Sequence, residues 1–297
     1  MGKPLTAFFA IAILLCAANT RAAVRTARIF SDHMVLQREL PAPIWGKADA
    51  GKSVTVQFAS QTAKTKADRE GRWKVWLRPL KANSTGSELK VISGVDSILI
   101  RDVLLGEVWF SGGQSNMGYT VGGMARRLTE GRALADAADF NGIRYRKVNE
   151  KNSPTPQTDL TGGGWVVCTA KTVHDISGVG FVYARRLHLE LKVPIGIIDC
   201  AWGGTPIEPY IPIEAFTGHP TLKRLAALAK AGDIEAIKKM RGGTFVRSPA
   251  WLAGAIYNGR IAPVAPYAIR GAIWYQAESN CGTGEDPRDY AHKMRAL

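Results

Sequence analysis

Residues 106–118 read GEVWFSGGQSNMG, an apolar run that ends in Ser-Gly-Gly-Gln and then presents one further hydroxyl group, that of Ser115. Residues 103–110 are almost continuously apolar, which is typical of a strand buried on both faces of a parallel sheet. Glycines let the chain turn sharply after such a strand and leave backbone N–H groups that can stabilise an oxyanion. The stretch fits a serine nucleophile at a sheet edge, and it fits a turn with a hydrogen-bonding serine equally well.

Two later segments repeat this arrangement of an apolar strand followed by a loop of small and polar residues. They are residues 195–199, which run into CAWGGTPIEP, and residues 269–276, which run into AESN. The clearest helix, at 177–192 with Ser177 as its N-cap, lies between the first and second of these strands. Because right-handed crossovers place the carboxyl ends of parallel strands at one sheet edge, we expect the three loops to converge.

The three loops together contain much of what acyl transfer to serine requires. Such chemistry needs a nucleophile, hydrogen-bond donors around the developing oxyanion, and a base oriented by an acid. Ser115 is the candidate nucleophile. The candidate donors, which offer backbone or side-chain N–H groups, are Gly203, Gly204, Gln276 and Asn280. No Gly-x-Ser-x-Gly motif surrounds Ser115, which argues against an ordinary α/β-hydrolase.

Five short blocks of the sequence belong together as a set of motifs. They are FSDHMVLQ at 30–37, PIWG at 43–46, GEVW with GQSNM at 106–117, WGGTPIE at 202–208 and WYQAESN at 274–280. The last three blocks resemble the motifs of sialate O-acetylesterase-like SGNH hydrolases, and the first two resemble the N-terminal β-domain of that family. The resemblance extends over most of the chain from about residue 28 onward.

The resemblance implies a three-layer α/β/α fold with a parallel sheet, preceded by a small all-β domain. It implies an enzyme that removes O-acetyl groups from sugars through an acyl-enzyme, without a metal or other cofactor. Ser115 would be the nucleophile, and a glycine of the second loop with Gln276 or Asn280 would complete the oxyanion hole. The implied partner is an O-acetylated carbohydrate such as a 9-O-acetylated sialate; an acetyl-xylan type of esterase is the alternative.

The chain departs from the family pattern at two points. Ala277 stands where the family usually has glycine, and the family's Asp-x-x-His-Pro motif is expected well after the third block, whereas this chain stops at Leu297. We therefore expect a C-terminally incomplete member, for which a non-catalytic carbohydrate-binding role is a further alternative. Asp289 and His292 match Asp-x-x-His, but they fall inside a predicted helix at 287–296, where a solvated contact is the commoner outcome.

Residues 24–102 consist of short alternating strands separated by turns, which is typical of a small antiparallel β-sandwich. The clearest strands are residues 53–58 and 73–77, and residues 68–71 offer a hairpin turn between them. Tryptophans could form a sugar-stacking surface on this domain, but we expect them to fill its core. These tryptophans are Trp45, Trp73 and Trp76.

Residues 103–297 are predicted to form the hydrolase domain, in which the pattern changes from short strands to alternating strands and helices. We expect a helix at 133–140 and a strand at 141–148. A basic, alanine-rich helical insertion is expected at 215–250, with helices at 222–230 and 233–240.

Residues 1–23 have the pattern of a signal peptide, with Lys3 near the start, an apolar run at 5–18 and small residues before the expected cleavage point. We expect a secreted, periplasmic or lumenal protein that keeps no stable membrane anchor after cleavage. Cleavage would remove Cys16 and leave three cysteines, which permits one disulfide with a free thiol, or no disulfide. The three are Cys168, Cys200 and Cys281.

The net charge of +14 and the pI near 9.8 make nucleic acid a partner to consider. The basic residues are scattered, however, and the densest runs are pairs such as Arg126-Arg127. No zinc-ligand spacing or RNA-binding aromatic motif accompanies them. We therefore predict no nucleic-acid partner, and a basic surface that is compatible with an anionic saccharide.

Overall fold

The computed structural model describes residues 23–149, 151–240, 252–281 and 286–297. Most of the predicted signal peptide and the last part of the predicted insertion lie outside these ranges. The strands are β1 Arg25–Thr26, β2 Val35–Gln37, β3 Ala42–Lys47, β4 Ser53–Phe58, β5 Gln61–Lys66, β6 Arg72–Leu77, β7 Asn83–Ser93, β8 Asp96–Gly113, β9 Phe140–Lys147, β10 Val166–Cys168, β11 Ile195–Asp199 and β12 Gly271–Tyr275. The α-helices are α1 Ser115–Gly118, α2 Val121–Ala125, α3 Thr129–Asp136, α4 Gly178–Leu191, α5 Pro220–Ala231, α6 Ile234–Met240 and α7 Pro287–Ala296.

The long strand β8 connects the two halves of a nine-stranded mixed sheet. Its first part pairs antiparallel with β7, and its last part pairs parallel with β11 on residues 107–111 and with β12 on residues 109–113. The predicted domain boundary after residue 102 falls inside this strand. Asp102 has a φ of 53°, and its carboxylate lies 2.7 Å from His33 Nδ1 and accepts a hydrogen bond from Arg144 at 2.9 Å.

The sheet is mixed, so the expectation of a parallel sheet is met only in its centre. Strands β9, β11, β8 and β12 are parallel, whereas β10 runs antiparallel to β9 at the edge. Helix α4 is the crossover that leads into β11. Ser177 caps it as predicted, because its Oγ accepts a hydrogen bond from the N–H of Gly180 at 3.0 Å. Phe181 and Ala184 on the inner face of α4 are fully buried.

Strands β1, β3 and β6 form a second, three-stranded sheet that packs on the antiparallel part of the large one. The prediction of a hairpin at 68–71 is wrong, because β5 lies between the two strands and pairs with β4 instead. The turn at 68–71 leads from β5 in the large sheet to β6 in the small one. Strand β5 reads QTAKTK and lies at the end of the strand order. Exposed lysines are typical of an edge strand. They leave the segment without the alternation of apolar and polar residues by which a strand is recognised in a sequence.

The helix predicted at 133–140 is displaced by about one turn. Helix α3 begins at Thr129 and ends at Asp136, and Phe140 already belongs to β9. Alanine-rich sequence favours helix throughout this segment, but the chain has to turn early enough for β9 to pair with β11. The helices expected at 222–230 and 233–240 are confirmed as α5 and α6, and α7 has the predicted bounds.

Cysteines Cys168, Cys200 and Cys281 are free thiols, and only Cys281 is exposed. Burial raises the pKa of the Cys168 thiol to about 12. None of the helices within the described ranges is both long enough and apolar enough to cross a bilayer.

Gly106 is expected to be essential for the pairing of β8 with β11. A Cβ at this position would lie 2.0 Å from the backbone oxygen of Pro194, which also accepts a hydrogen bond from the N–H of Glu107 at 2.9 Å. Gly106→Ala should therefore lower the free energy of unfolding by about 2–3 kcal/mol, measured by urea unfolding. Gly162→Ala is the matched control, because a Cβ there meets nothing within 4 Å. Equal stability of the two variants would refute this account of β8.

Candidate active site

Ser115 lies two residues beyond the last residue of β8 and begins the short helix α1, where its side chain is exposed. The turn before it depends on Gly113, which has a φ of 138° and whose Cβ would lie 2.1 Å from the backbone oxygen of Tyr275. Gln114 donates its N–H to the same oxygen at 3.1 Å. The close approach of β12 to the end of β8 therefore admits only glycine at this position and fixes the backbone that presents Ser115.

The second loop lies beside Ser115. Cys200 donates its N–H to Ser111 at 2.8 Å and Trp202 donates to Gly113 at 2.9 Å, so the two loops are joined by backbone hydrogen bonds. A Cβ at Gly203 would lie 3.6 Å from the Cβ of Ser115, which places the Gly203 backbone against the serine. Gly204 follows with a φ of 73°, a conformation that favours glycine.

Tyr210 supports the junction of the first two loops from below. It is fully buried, and its hydroxyl donates to the backbone oxygen of Gly113 at 2.7 Å and accepts from the N–H of Trp202 at 3.1 Å. Burial raises the pKa of Tyr210, so the phenol stays protonated and keeps this bond. Below the start of the second loop, Tyr145 donates to the buried carboxylate of Asp199, whose pKa is raised by burial.

The third loop reaches the first through Gln114. The Oε1 of Gln114 accepts hydrogen bonds from the side-chain amide of Gln276 and from the N–H of Ser279, each at 3.1 Å. Asn116 donates to the carboxylate of Glu278, which is a second connection between these loops. The structure thus brings the three loops together, as the sequence predicts.

Gln276 and Asn280 are buried, at 6% and 8% exposure, and their amides donate into the protein. The Gln276 amide lies 2.9 Å from Asn280 Oδ1 and 3.1 Å from the backbone oxygen of Thr205. The Asn280 amide donates to the carboxylate of Glu208 at 3.1 Å. These contacts give both amides a role in joining the loops, whereas their role in an oxyanion hole stays a prediction. The Gly203 backbone is the candidate donor that lies beside Ser115.

Helix α7 contributes two side chains that contact Gln276 and Glu208, and sequence analysis identified neither of them. The Lys293 ammonium group lies 2.7 Å from the Glu208 carboxylate, and each side chain is only 2% exposed. The Tyr290 hydroxyl lies 2.7 Å from both the backbone and the side-chain oxygen of Gln276. A lysine in a charged C-terminal helix resembles a surface residue in sequence, so its burial could not be predicted.

A pocket of about 450 Å³ opens in front of Ser115. Its described lining carries two charged side chains, Lys147 and Arg260, and neither a histidine nor a carboxylate. The lining residues are Ser115, Gly118, Tyr119, Lys147, Asn149, Ala201, Trp202, Gly203 and Arg260.

Arg260 is the functional candidate that sequence reasoning missed. It lies in a π-helical turn, Tyr257–Ile261, and is only 6% exposed. Its guanidinium group lies 4.1 Å from the ring centroid of Trp202, a cation–π contact. Within the described ranges its Nε has no hydrogen-bond partner, and Arg260 forms no ion pair. A buried guanidinium without an acidic partner that lines a pocket is well suited to bind an anion or a carbonyl oxygen.

The Asp-x-x-His candidate on α7 forms a cluster of its own. Asp289 lies 3.7 Å from Nδ1 of His219 rather than pairing with His292, and the two imidazole rings stack with their centroids 4.5 Å apart. Neither histidine belongs to the described lining of the Ser115 pocket. In the part of the chain that the structure describes, no group of three or more His, Cys, Asp or Glu side chains is placed to hold a metal.

Comparisons with known proteins agree with this fold. No family model matches the chain. A carbohydrate acetylesterase from Xanthomonas citri superposes with a TM-score of 0.75 at 29% identity, over 92% of this chain and 55% of that one. The chain therefore has the mixed α/β fold of a carbohydrate acetylesterase.

Curated sialate O-acetylesterases are also similar to this chain over most of its length. Sialate O-acetylesterase of rat is 28% identical over 88% of this chain and 53% of its own length, and that of mouse is 28% identical over 94% and 57%. The human sialate O-acetylesterase is 29% identical over 88% of this chain and 50% of its own length. The chain is thus sialate O-acetylesterase-like, and it spans about half the length of the curated relatives it matches.

We expect the buried pair between Lys293 and Glu208 to be needed for the third loop. Lys293→Met leaves the Glu208 carboxylate buried without its cation and should cost about 3–5 kcal/mol of unfolding free energy. Lys238→Met is the matched control, since Lys238 pairs with Glu235 near the surface and should lose at most about 1 kcal/mol. Adding Glu208→Gln to Lys293→Met should restore part of the loss in urea unfolding. A Lys293→Met variant as stable as the control would contradict the pairing.

Proposed function

We propose that this chain is a serine esterase that removes O-acetyl groups from sugars, in the manner of a sialate 9-O-acetylesterase. The observation that carries the proposal is the exposed Ser115 beside the Gly203 backbone, in a pocket that residues of the first and second loops line. The names of the sialate O-acetylesterases and of the carbohydrate acetylesterase that the chain resembles support it. In the finer description that we propose, residues 103–297 belong to a three-layer SGNH domain and residues 24–102 to a preceding β-domain.

In the proposed reaction, Ser115 Oγ attacks the acetyl carbonyl carbon and loses its proton to a base. The oxyanion forms next to the N–H of Gly203, with Gln276 and Asn280 as the donors predicted by family resemblance. The tetrahedral intermediate then expels the sugar oxygen, which takes up a proton, and leaves acetyl-Ser115. Water hydrolyses this ester to acetate and regenerates the serine.

The sugar is proposed to be acidic, because the pocket offers positive charge without a carboxylate in its described lining. Lys147 partly balances the buried Asp199, whose pKa it lowers against the larger effect of burial. Arg260 has no such partner in the described ranges. A carboxylate on the substrate would complete the hydrogen bonding of its guanidinium group.

A second candidate function is saccharide binding without turnover. It is favoured by one observation, that neither a histidine nor a carboxylate stands in the described lining of the Ser115 pocket. Under this alternative the chain binds the acetylated sugar but lacks an efficient general base. Removing one triad member can still leave weak residual catalysis, so the two functions differ in rate by several orders of magnitude.

The remaining proposals concern partners and location. We propose an O-acetylated carbohydrate as the substrate, no nucleic-acid partner, and a secreted, periplasmic or lumenal protein directed by residues 1–23. The basic start and the apolar run of that segment are the support for export.

Ser115→Ala should abolish acetate release from 9-O-acetylated sialic acid and from 4-nitrophenyl acetate, because no acyl-enzyme can form. We expect a loss of at least about a thousandfold in kcat/KM. Ser84→Ala, at an exposed serine of β7, is the control and should release acetate at the same rate as the unmodified chain. Equal rates for both variants would exclude Ser115 as the nucleophile. Sugar binding without turnover in the unmodified chain would favour the second candidate.

Arg260→Met should raise KM for an acidic acetylated sugar about tenfold, since a hydrogen bond to a charged group contributes about 1.5–3 kcal/mol. The rate with 4-nitrophenyl acetate, which carries no carboxylate, should stay within about twofold because the lost hydrogen bond is absent from that complex. Arg260→Lys keeps the charge, so its KM for the acidic sugar should lie between that of the unmodified chain and that of Arg260→Met. An equal loss on both substrates would show that Arg260 only supports the pocket.

A further inference from the structure

The outer face of the three-stranded sheet carries a row of positive charges. Arg25 lies directly opposite Lys47, and Lys47 lies directly opposite Arg72 on the next strand. Residues that are directly opposite point to the same face, and like charges in such pairs destabilise a sheet. The row therefore reduces the stability of the free protein.

In the part of the chain that the structure describes, only Arg72 in this row is neutralised by the protein. Its guanidinium group lies 2.8 Å from the Asp68 carboxylate and 3.0 Å from that of Glu70. Arg25 and Lys47 form no ion pair within the described ranges. Lys74 projects on the same face and has one contact, with its ammonium group 5.7 Å from the ring centroid of Trp76. Among the described residues, Arg25, Lys47 and Lys74 are thus three cations that form no ion pair.

These cations border a cleft of about 420 Å³ that has aromatic walls. Trp45 and Trp73 line the cleft, and Thr158 and Asp159 close its far side. The expectation that all three tryptophans fill the core holds for Trp73, which is 3% exposed. It is wrong for Trp76, which is 58% exposed on the same outer face, and Trp45 is only half-buried.

A buried polar atom of one residue that lines this cleft also lacks a partner. Trp73 Nε1 is buried and has no hydrogen bond in the described ranges. The edge of the indole ring that carries Nε1 lies close to Gly46, which also lines the cleft. A Cβ added at Gly46 would lie 2.8 Å from Trp73 Cζ2. By contrast, Asp159 is already engaged, because its Oδ1 accepts from the N–H groups of Arg28 and Leu160 at 2.8 Å. The Asp159 carboxylate forms no ion pair within the described ranges, so the lining holds three unpaired cations and one unpaired carboxylate.

We infer that this cleft binds a carboxylate-bearing saccharide, at a site distinct from the Ser115 pocket. The cations would hold the carboxylate, and the exposed face of Trp76 with the half-buried Trp45 would stack on the sugar ring. A single-stranded nucleic acid uses similar groups, but it needs a basic groove that follows several phosphates, and here three cations border a single cleft.

The cleft and the Ser115 pocket share no lining residue, so the inference does not require Ser115 to be a nucleophile. They are nevertheless close along the chain, because Asn149 lines the pocket and Thr158 lines the cleft. Nine residues of fully extended chain span at most about 30 Å. A polymeric substrate held in the cleft would therefore stay near the pocket.

The test is calorimetric titration with an oligogalacturonate that carries no acetyl groups, with a neutral xylo-oligosaccharide of equal length as the reference ligand. Arg25→Ala combined with Lys47→Ala should weaken oligogalacturonate binding at least tenfold, and Trp76→Ala should weaken it several-fold. Lys90→Ala, at an exposed lysine of β7, is the matched control and should bind like the unmodified chain. Equal melting temperatures and equal 4-nitrophenyl acetate rates would show that the cleft variants are folded and keep the Ser115 pocket.

Three results would overturn the inference. They are no binding of oligogalacturonate by the unmodified chain, equal binding of the neutral ligand, and unchanged binding by the cleft variants. Tighter binding of an oligothymidylate than of oligogalacturonate would also overturn it and would assign the cleft to nucleic acid. Binding that is lost in Arg260→Met but not in the cleft variants would place the saccharide in the Ser115 pocket and would refute a separate site.

Discussion

The close contact between the ends of β8 and β12 is the constraint on which the candidate site depends. The backbone of Tyr275 passes so near Gly113 that any side chain there would collide with it. This contact turns the chain at the end of a buried strand and exposes Ser115 at the sheet edge. The second loop then joins the same turn through Trp202, and Tyr210 donates to it from below. The position of the serine is therefore set by backbone packing rather than by contacts of its own side chain.

Buried polar groups behind the three loops add a second constraint. Gln114, Gln276, Asn280 and Glu208 form a chain of hydrogen bonds that ends at Lys293 on α7. Each group is costly to bury alone, so the network favours the one arrangement in which all of them are paired. This explains how residues from the first loop to the last helix are held in one arrangement, although none of these five belongs to the described lining of the pocket. It also identifies α7 as a support of the site.

The sequence predicted the features that depend on local pattern. The strand ending at Asp199, the cap at Ser177 and the bounds of α7 follow from apolar runs and capping residues, and all are found in the structure. Strand β5 was missed because its edge position removes the apolar alternation. Lys293 and Arg260 were missed because burial of a charged residue depends on partners distant in sequence. The catalytic roles of Ser115 and of the four candidate donors stay predictions.

The central claim is that the three loops make Ser115 a reactive nucleophile. Mass mapping of the chain after reaction with a serine-directed phosphonate tests it without relying on a chosen sugar. The account predicts one adduct, on the peptide that contains Ser115, and a strong loss of this adduct when Gly113→Ala displaces the turn. An adduct on another serine, or no adduct on the folded chain, would contradict it.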